Sequence, residues 1–151
     1  GARVFLDADG EALYHGLEAK PYLAKPNNHE LSRLTSRPLD TVDSLLAAAR
    51  DMVAQGVERV VVSMGGDGAL FVSKTAAYRA EGLKVPVGST VGAGDSMVAA
   101  LAFAAAQGMG DGETVALAVA TSAANVMCSG SQAAERSAVD ELLPRVTYHV
   151  L

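Results

Sequence analysis

The sequence predicts an α/β fold in which helices cover a sheet, and three observations predict it. Apolar runs of strand length alternate with longer stretches of helical length between Arg3 and Leu143, the pattern of layered α/β domains. The run Arg59–Ser63 holds three valines in a row, as expected of a strand covered on both faces. Half the residues are hydrophobic but only 5% are aromatic, and Trp is absent. Alanine and valine must therefore fill the core, which suits close packing of helix on sheet. A length of 151 residues with 19% charged side chains suits one globular domain, residues 1–151, with a real core.

Each element has a local reason. "RVFL", Arg3 to Leu6, reads as a buried strand ending at Asp7. "DADGEAL" is turn chemistry that leads into a helix over Glu11–Leu17. "PYLAKPN" reads as a second strand, closed at Pro26 because the residue before a proline is biased to extended backbone. Helices are expected over Asn28–Leu34 and Thr41–Gln55, with Gly56 at the C′ position of the second. "RVVVSMGGDGALFVS" reads as strand, glycine turn, strand, and "TAAYRAEG" as a further strand or loop. Three helices complete the chain, over Asp95–Gln107 with Gly108 as its cap, Glu113–Met127 and Val139–Leu143.

Composition narrows the function. The net charge of −5, with no run of Lys or Arg, argues against nucleic acid as the main partner. A single cysteine, Cys128, allows no intrachain disulfide and fits a reducing cytoplasm. The apolar stretch Val98–Ala106 is broken by Gln107, Gly108 and Asp111, short of the roughly 20 residues needed to span a bilayer, so no membrane partner is expected. No secretory pattern opens the chain. Its entry straight into a strand-like run after Gly1 reads as a piece cut from something longer.

In sheets of this class ligands bind beyond the carboxyl ends of strands, which nominates Asp7, the "KPN" corner and the "SMGGDG" corner. A fourth place is the start of the helix at Gly94 and Asp95. In "TVGAGDS", Gly92 and Gly94 allow a close backbone approach. The N–H groups around Ala93, Gly94 and Asp95 would then form an anion hole with the helix dipole behind it. Asp95 is either a helix cap or a base that takes a proton from an attacking hydroxyl. In "KPNNHE", Asn27 and Glu30 are spaced as a capping box. The same oxygens, with Asp7 as a second carboxylate, would suit Mg²⁺ with retained waters. "SMGGDG" is either a hairpin turn or a corner where Gly65 and Gly68 let a phosphorylated ligand lie on the backbone. A dinucleotide fingerprint lacks its third glycine, and no P-loop or G-x-S-x-G elbow occurs. His15, His29 and His149 show no metal spacing.

The order of these motifs carries more than any one of them. "KPN" with Glu30, "VVVSMGGDGAL", "STVGAGDSMVAA" and an Ala-rich helix ending "SAANVMCSGS" together resemble the C-terminal half of the PfkB (ribokinase-like) sugar kinases. The likeness points to the branch of 6-phosphofructokinases of the minor bacterial type, 1-phosphofructokinases and tagatose-6-phosphate kinases. It covers nearly the whole chain. It implies a ribokinase-like, Rossmann-type layered sheet flanked by helices, incomplete because only half of the family fold is present.

The resemblance also implies roles. Asp95 falls on the catalytic base, and Gly92, Ala93 and Gly94 fall on the anion hole for the transferred phosphoryl group. Asn27 and Glu30 fall on the residues that help place Mg²⁺, and Lys25 on the lysine near the nucleotide phosphates. Ser63, Gly65 and Gly68 fall on the nucleotide corner, and Asn125 on the segment near the adenine. Ser89 and Val91 fall on backbone positions that bind K⁺ in some relatives. ATP and a sugar phosphate are the implied ligands. Relatives of this kind are much longer, and their sugar-holding N-terminal half and lid are not in this chain. The loop "MCSGSQAAE" departs from the usual Pro-Gly-type pattern. The expected partner is therefore a complementary N-terminal half or a second copy of the chain. The contrasting expectation is a nucleotide-binding module without catalysis.

Overall fold

The computed structural model describes all residues from Gly1 to Leu151, and the chain divides into two compact units. The first comprises Gly1–Gly65, Ala69–Arg79 and Val150–Leu151, and the second Gly66–Gly68 with Ala80–His149. Six strands, ordered β1 to β6, and six α-helices give the mixed α/β architecture with an open sheet that the sequence predicts.

In the first unit the chain runs β1 (Phe5–Leu6), α1 (Gly10–Glu18), β2 (Leu23–Ala24), α2 (Asn28–Thr35), α3 (Val42–Ala54), β3 (Arg59–Ser63) and β4 (Ala69–Ser73). β1 and β2 pair in parallel, as do β2 and β3, with Leu23 opposite Phe5 and then Arg59. β3 and β4 pair antiparallel from Arg59↔Ser73 to Ser63↔Ala69. Val60 and Val62 of β3 are fully buried, with Leu31 of α2, Ala49 of α3 and Leu70 of β4 in the same core. Burying one such valine or leucine contributes about 1.5–3 kcal/mol. The alanines of α3 let it lie close to the strands.

Caps fix where these helices start and stop. Thr41 Oγ accepts from the Ser44 N–H, and Ser44 Oγ accepts from the Thr41 N–H, at 3.1 Å each. At the other end of α3 the Gly56 N–H donates to Val53 O and the Val57 N–H to Met52 O, a Schellman closure with glycine at C′ as predicted.

The second unit is helical. α4 (Ala93–Gln107), α5 (Asp111–Val126) and α6 (Arg136–Leu142) follow β5 (Ala77–Ala80), whose last residue belongs here. α4 packs along α5, and most buried residues of the two helices are alanine, Ala100, Ala104, Ala118 and Ala120 among them, with Met97, Leu101, Val115 and Val119 as the larger apolar ones. α5 and α6 share a further core of Ala120, Ala124, Val139 and Leu142. No helix is long and apolar enough to cross a membrane.

The structure differs from the sequence expectation in four places. The first strand is Phe5–Leu6 and half-buried, rather than a buried run from Arg3, and Val4 is exposed. The second strand is two residues long, Leu23–Ala24, and stops short of its expected close at Pro26, which offers no N–H to a ladder. α4, α5 and α6 each begin two or three residues earlier than expected. A last strand, β6 (Tyr148–Val150), forms where no element was expected. Its residues are all exposed, so they carry none of the inside–outside alternation by which a strand is recognised.

Candidate active site

The predicted site residues fall into two patches, one in each unit. In the first unit the Lys25 N–H donates to Leu6 O at 2.9 Å, which ties the residue after β2 to the end of β1. The Lys25 side chain is 5% exposed, and its Nζ lies 3.3 Å from Asp7 Oδ2. A buried ammonium without a counter-charge is costly, so Asp7 serves first as the partner of Lys25.

Pro26 leads into the cap of α2. Asn27 Oδ1 accepts from the Glu30 N–H at 2.8 Å, and Glu30 Oε2 accepts from the Asn27 N–H at 2.7 Å. This is the reciprocal capping box that the spacing predicts. Asn27 and Ser63 face each other across an isolated parallel bridge, and the Ser63 N–H donates to Pro26 O at 3.1 Å. The structure thus brings Lys25, Asn27, Glu30 and Ser63 to one corner, beyond the ends of β2 and β3.

The fit of a metal here can be judged atom by atom. Asn27 Oδ1 is occupied by the cap, while Glu30 Oε1 has no partner. No group of three His, Cys, Asp or Glu side chains converges anywhere in the chain. One open carboxylate oxygen suits Mg²⁺, which keeps most of its waters and takes further oxygens from a nucleotide's phosphates. A groove of about 650 Å³ lined by Arg3, Tyr22, Gly56 and Arg59 lies at the opposite, starting ends of the strands.

Ser63 opens the glycine turn. β3 and β4 form a hairpin, as one reading of "SMGGDG" expects, but through a 3₁₀ turn at Gly65–Asp67 rather than a two-residue Asp-Gly turn. Within the second unit, a Cβ on Gly68 would strike Ala80 O, and a Cβ on Gly82 would strike Gly66 O. These glycines let two backbone segments lie against each other. Sequence reading missed Gly82, because a lone glycine in a loop carries no signal of what it packs against.

The second patch is the start of α4. The N-cap is Gly92, in the left-handed region at φ 86° and with no side-chain cap bond. Asp95 is therefore the third residue of the first turn and does not cap the helix with its side chain, which corrects that reading. The Ser96 N–H donates to Gly92 O at 2.8 Å. The N–H groups of Gly94 and Asp95 have no partner, as is usual for the first turn of a helix. They sit at the positive end of the helix dipole beside the exposed Asp95 carboxylate. That is one point of the chain where anion donors and a free carboxylate occur together.

α5 holds this turn from beneath. Ser122 Oγ donates to Ala93 O at 3.1 Å. The N–H groups of Gly88 and Ser89 both donate to Val126 O, at 2.8 and 3.1 Å. Ser89 Oγ in turn accepts from the Val91 N–H at 3.2 Å. Asn125 is 3% exposed. Its Nδ2 donates to Gln132 O at 2.8 Å, while its Oδ1 is buried without a partner. Ser122 is a second residue that sequence reading passed over, since a serine within a helix gives no sign of bonding a neighbouring helix.

Comparison with known proteins places this geometry in a family. The model of the pfkB family of carbohydrate kinases matches residues 1–138. The chain is 41% identical over 147 residues to the 1-phosphofructokinase of Haemophilus influenzae, covering 97% of this chain and 47% of that protein. The crystal structure of phosphofructokinase-2 from Escherichia coli in complex with potassium superposes with a TM-score of 0.90 at 35% identity, over 95% of this chain and 47% of that one. Ribokinase from Arabidopsis thaliana, solved with ribose and ATP, gives a TM-score of 0.73 at 30% identity over 80% of this chain and 40% of that one. The chain spans about half the length of the relatives it matches, and it belongs to the pfkB family of carbohydrate kinases.

Proposed function

We propose that the chain is the nucleotide-binding, base-bearing part of an ATP-dependent sugar-phosphate kinase of the phosphofructokinase type. The acceptor is a hydroxyl of a phosphorylated ketohexose. One observation carries the reading above the others: the unpartnered N–H groups of Gly94 and Asp95 lie beside an open carboxylate, at the motif that family members share.

In this reading the sugar hydroxyl oxygen attacks the γ-phosphorus of ATP, the bond to the β–γ bridging oxygen breaks, and the hydroxyl proton passes to the Asp95 carboxylate. The backbone at Gly92, Ala93 and Gly94, with the Asp95 N–H, donates to the phosphoryl oxygens as charge develops there. Phosphoryl transfer asks little covalent chemistry of a protein beyond this positioning and charge stabilisation. Lys25, Asn27, Ser63, Gly65 and Gly68 hold the nucleotide, and Asn125 lies on the segment beside it. Mg²⁺ would be held at Glu30 Oε1 and would offset phosphate charge, while Asp7 acts through its pair with Lys25. Ser89 and Val91 offer backbone oxygens for K⁺. A cytoplasmic setting fits a chain whose one cysteine is free.

A second reading is favoured by one specific fact, the half-length match to the relatives. Here the chain binds nucleotide without turnover, unless an N-terminal half or a second copy completes the sugar site. Asp95→Asn separates the roles. It is expected to lower ATP-dependent phosphorylation of a ketohexose phosphate by about 10²–10⁴-fold and to leave MgATP affinity within about twofold. Turnover that persists in this variant removes Asp95 as the base. Stoichiometric product from the unmodified 151-residue chain alone removes the second reading.

A further inference from the structure

We propose that Asn125 is a positioning residue for the Gly92–Asp95 turn, acting through the backbone rather than by touching the nucleotide; the inference rests on the kinase reading above. Three observations converge on it.

First, the side chain is out of reach of solvent. Asn125 is 3% exposed, so a bound nucleotide has little of it to meet. Second, its two polar ends face two different segments. Nδ2 donates to Gln132 O at 2.8 Å, which fixes the loop after α5. Oδ1 faces Gly92, lying 3.4 Å from where a Cβ on that glycine would stand. Third, Oδ1 has no hydrogen-bond partner. Buried side-chain oxygens are seldom left so, and a carboxamide is retained in such a place when its shape and dipole serve a neighbour.

The neighbour is the left-handed N-cap of α4. Gly92 at φ 86° has no Cβ to limit its backbone, so something else must keep the turn from collapsing into other shapes. The surface of Asn125 closes the space beneath Gly92. Ser122, one turn earlier on α5, holds Ala93 O, and Val126, one residue later, holds the N–H groups of Gly88 and Ser89. Ser122, Asn125 and Val126 thus form a cradle on one face of α5, with Asn125 at its centre. The cradle keeps the N–H groups of Gly94 and Asp95 converged. A displacement of about 1 Å in such a turn is enough to cost on the order of 10²-fold in rate.

The test compares Asn125→Ala and the size-conserving Asn125→Asp with the unmodified protein. Three quantities are read: kcat with a ketohexose phosphate, Kd for MgATP, and the amide resonances of Gly92, Gly94 and Asp95 in ¹⁵N-labelled protein. Both variants are expected to lower kcat by at least about tenfold, to leave the MgATP Kd within about twofold, and to shift the three amides. Unmoved amides with unchanged kcat overturn the inference, even if the melting temperature falls, since that is all a merely structural role would do. A raised Kd with kcat held also overturns it, because Asn125 would then be a nucleotide contact. If the 151-residue chain shows no turnover, its sugar site is incomplete and the amide comparison with the MgATP Kd decides this inference by itself, whereas a folded chain that binds no MgATP fails the kinase reading. Asn125→Asp keeps the test open if the alanine variant does not fold.

Discussion

Lys25 shows how one residue binds structure to chemistry. Its ammonium is almost wholly buried at the corner between β1 and β2, with Asp7 as its counter-charge. Removing that carboxylate leaves the cation unpaired in a site it cannot leave. Asp7→Asn is therefore expected to destabilise the protein by about 1–3 kcal/mol, the cost of an unsatisfied buried polar group. Thermal or urea unfolding measures it, and an unchanged midpoint would show that the pair contributes nothing. The Asn27–Glu30 box illustrates a double use of atoms that sequence alone leaves open. Its spacing, three residues apart, is legible in the sequence, but which oxygen stays free is visible only in the folded chain. Asp95 is the converse case: its position before an apolar run suggests a cap, yet the cap position is Gly92.

At the scale of elements, the helices of the first unit were readable because their caps are local. Thr41, Ser44, Asn27, Glu30 and Gly56 act within a turn of themselves, so their residue types announce them. The contacts that matter in the second unit are not local. Ser122 meets Ala93, and Gly82 meets Gly66, across long stretches of chain, and no pattern in the sequence encodes such pairs. A similar long-range link joins α1 to α2. Arg33 Nη2 lies 2.7 Å from both Asp9 oxygens, and Asp9 is also the N-cap of α1. The Arg33 hydrogen bond, helped by the Gly10 N–H, holds the Asp9 carboxyl below its ordinary value of 3.8. A carboxyl lowered on folding contributes stability above the unfolded pKa and loses it as pH falls through the folded one. The link is thus intact at neutral pH and begins to weaken only once the pH falls below 3.8, toward the lower folded value. Arg33→Ala is expected to melt earlier than the unmodified chain at about pH 6, with the gap narrowing as the pH falls below 3.8. A gap that stays constant across that range would show that Arg33 acts by packing rather than charge.

For the whole molecule, the α/β class was legible because strand and helix periods differ and the core is built of alanine and valine. The family was legible because four motifs fall in one order along the chain, although each alone has an ordinary structural use. β6 was not legible, since an exposed three-residue strand has no pattern of its own. The chain spans about half the length of its relatives, and the proposed reading puts a nucleotide corner in one unit and an anion-binding turn in the other. The central claim is that this half binds MgATP through those features. Titration calorimetry of the 151-residue chain with ATP, in Mg²⁺ and then in excess EDTA, tests it most directly. The account expects one equivalent of ATP to bind in Mg²⁺, with affinity falling when the metal is removed. A folded chain that takes up no ATP under either condition would contradict it.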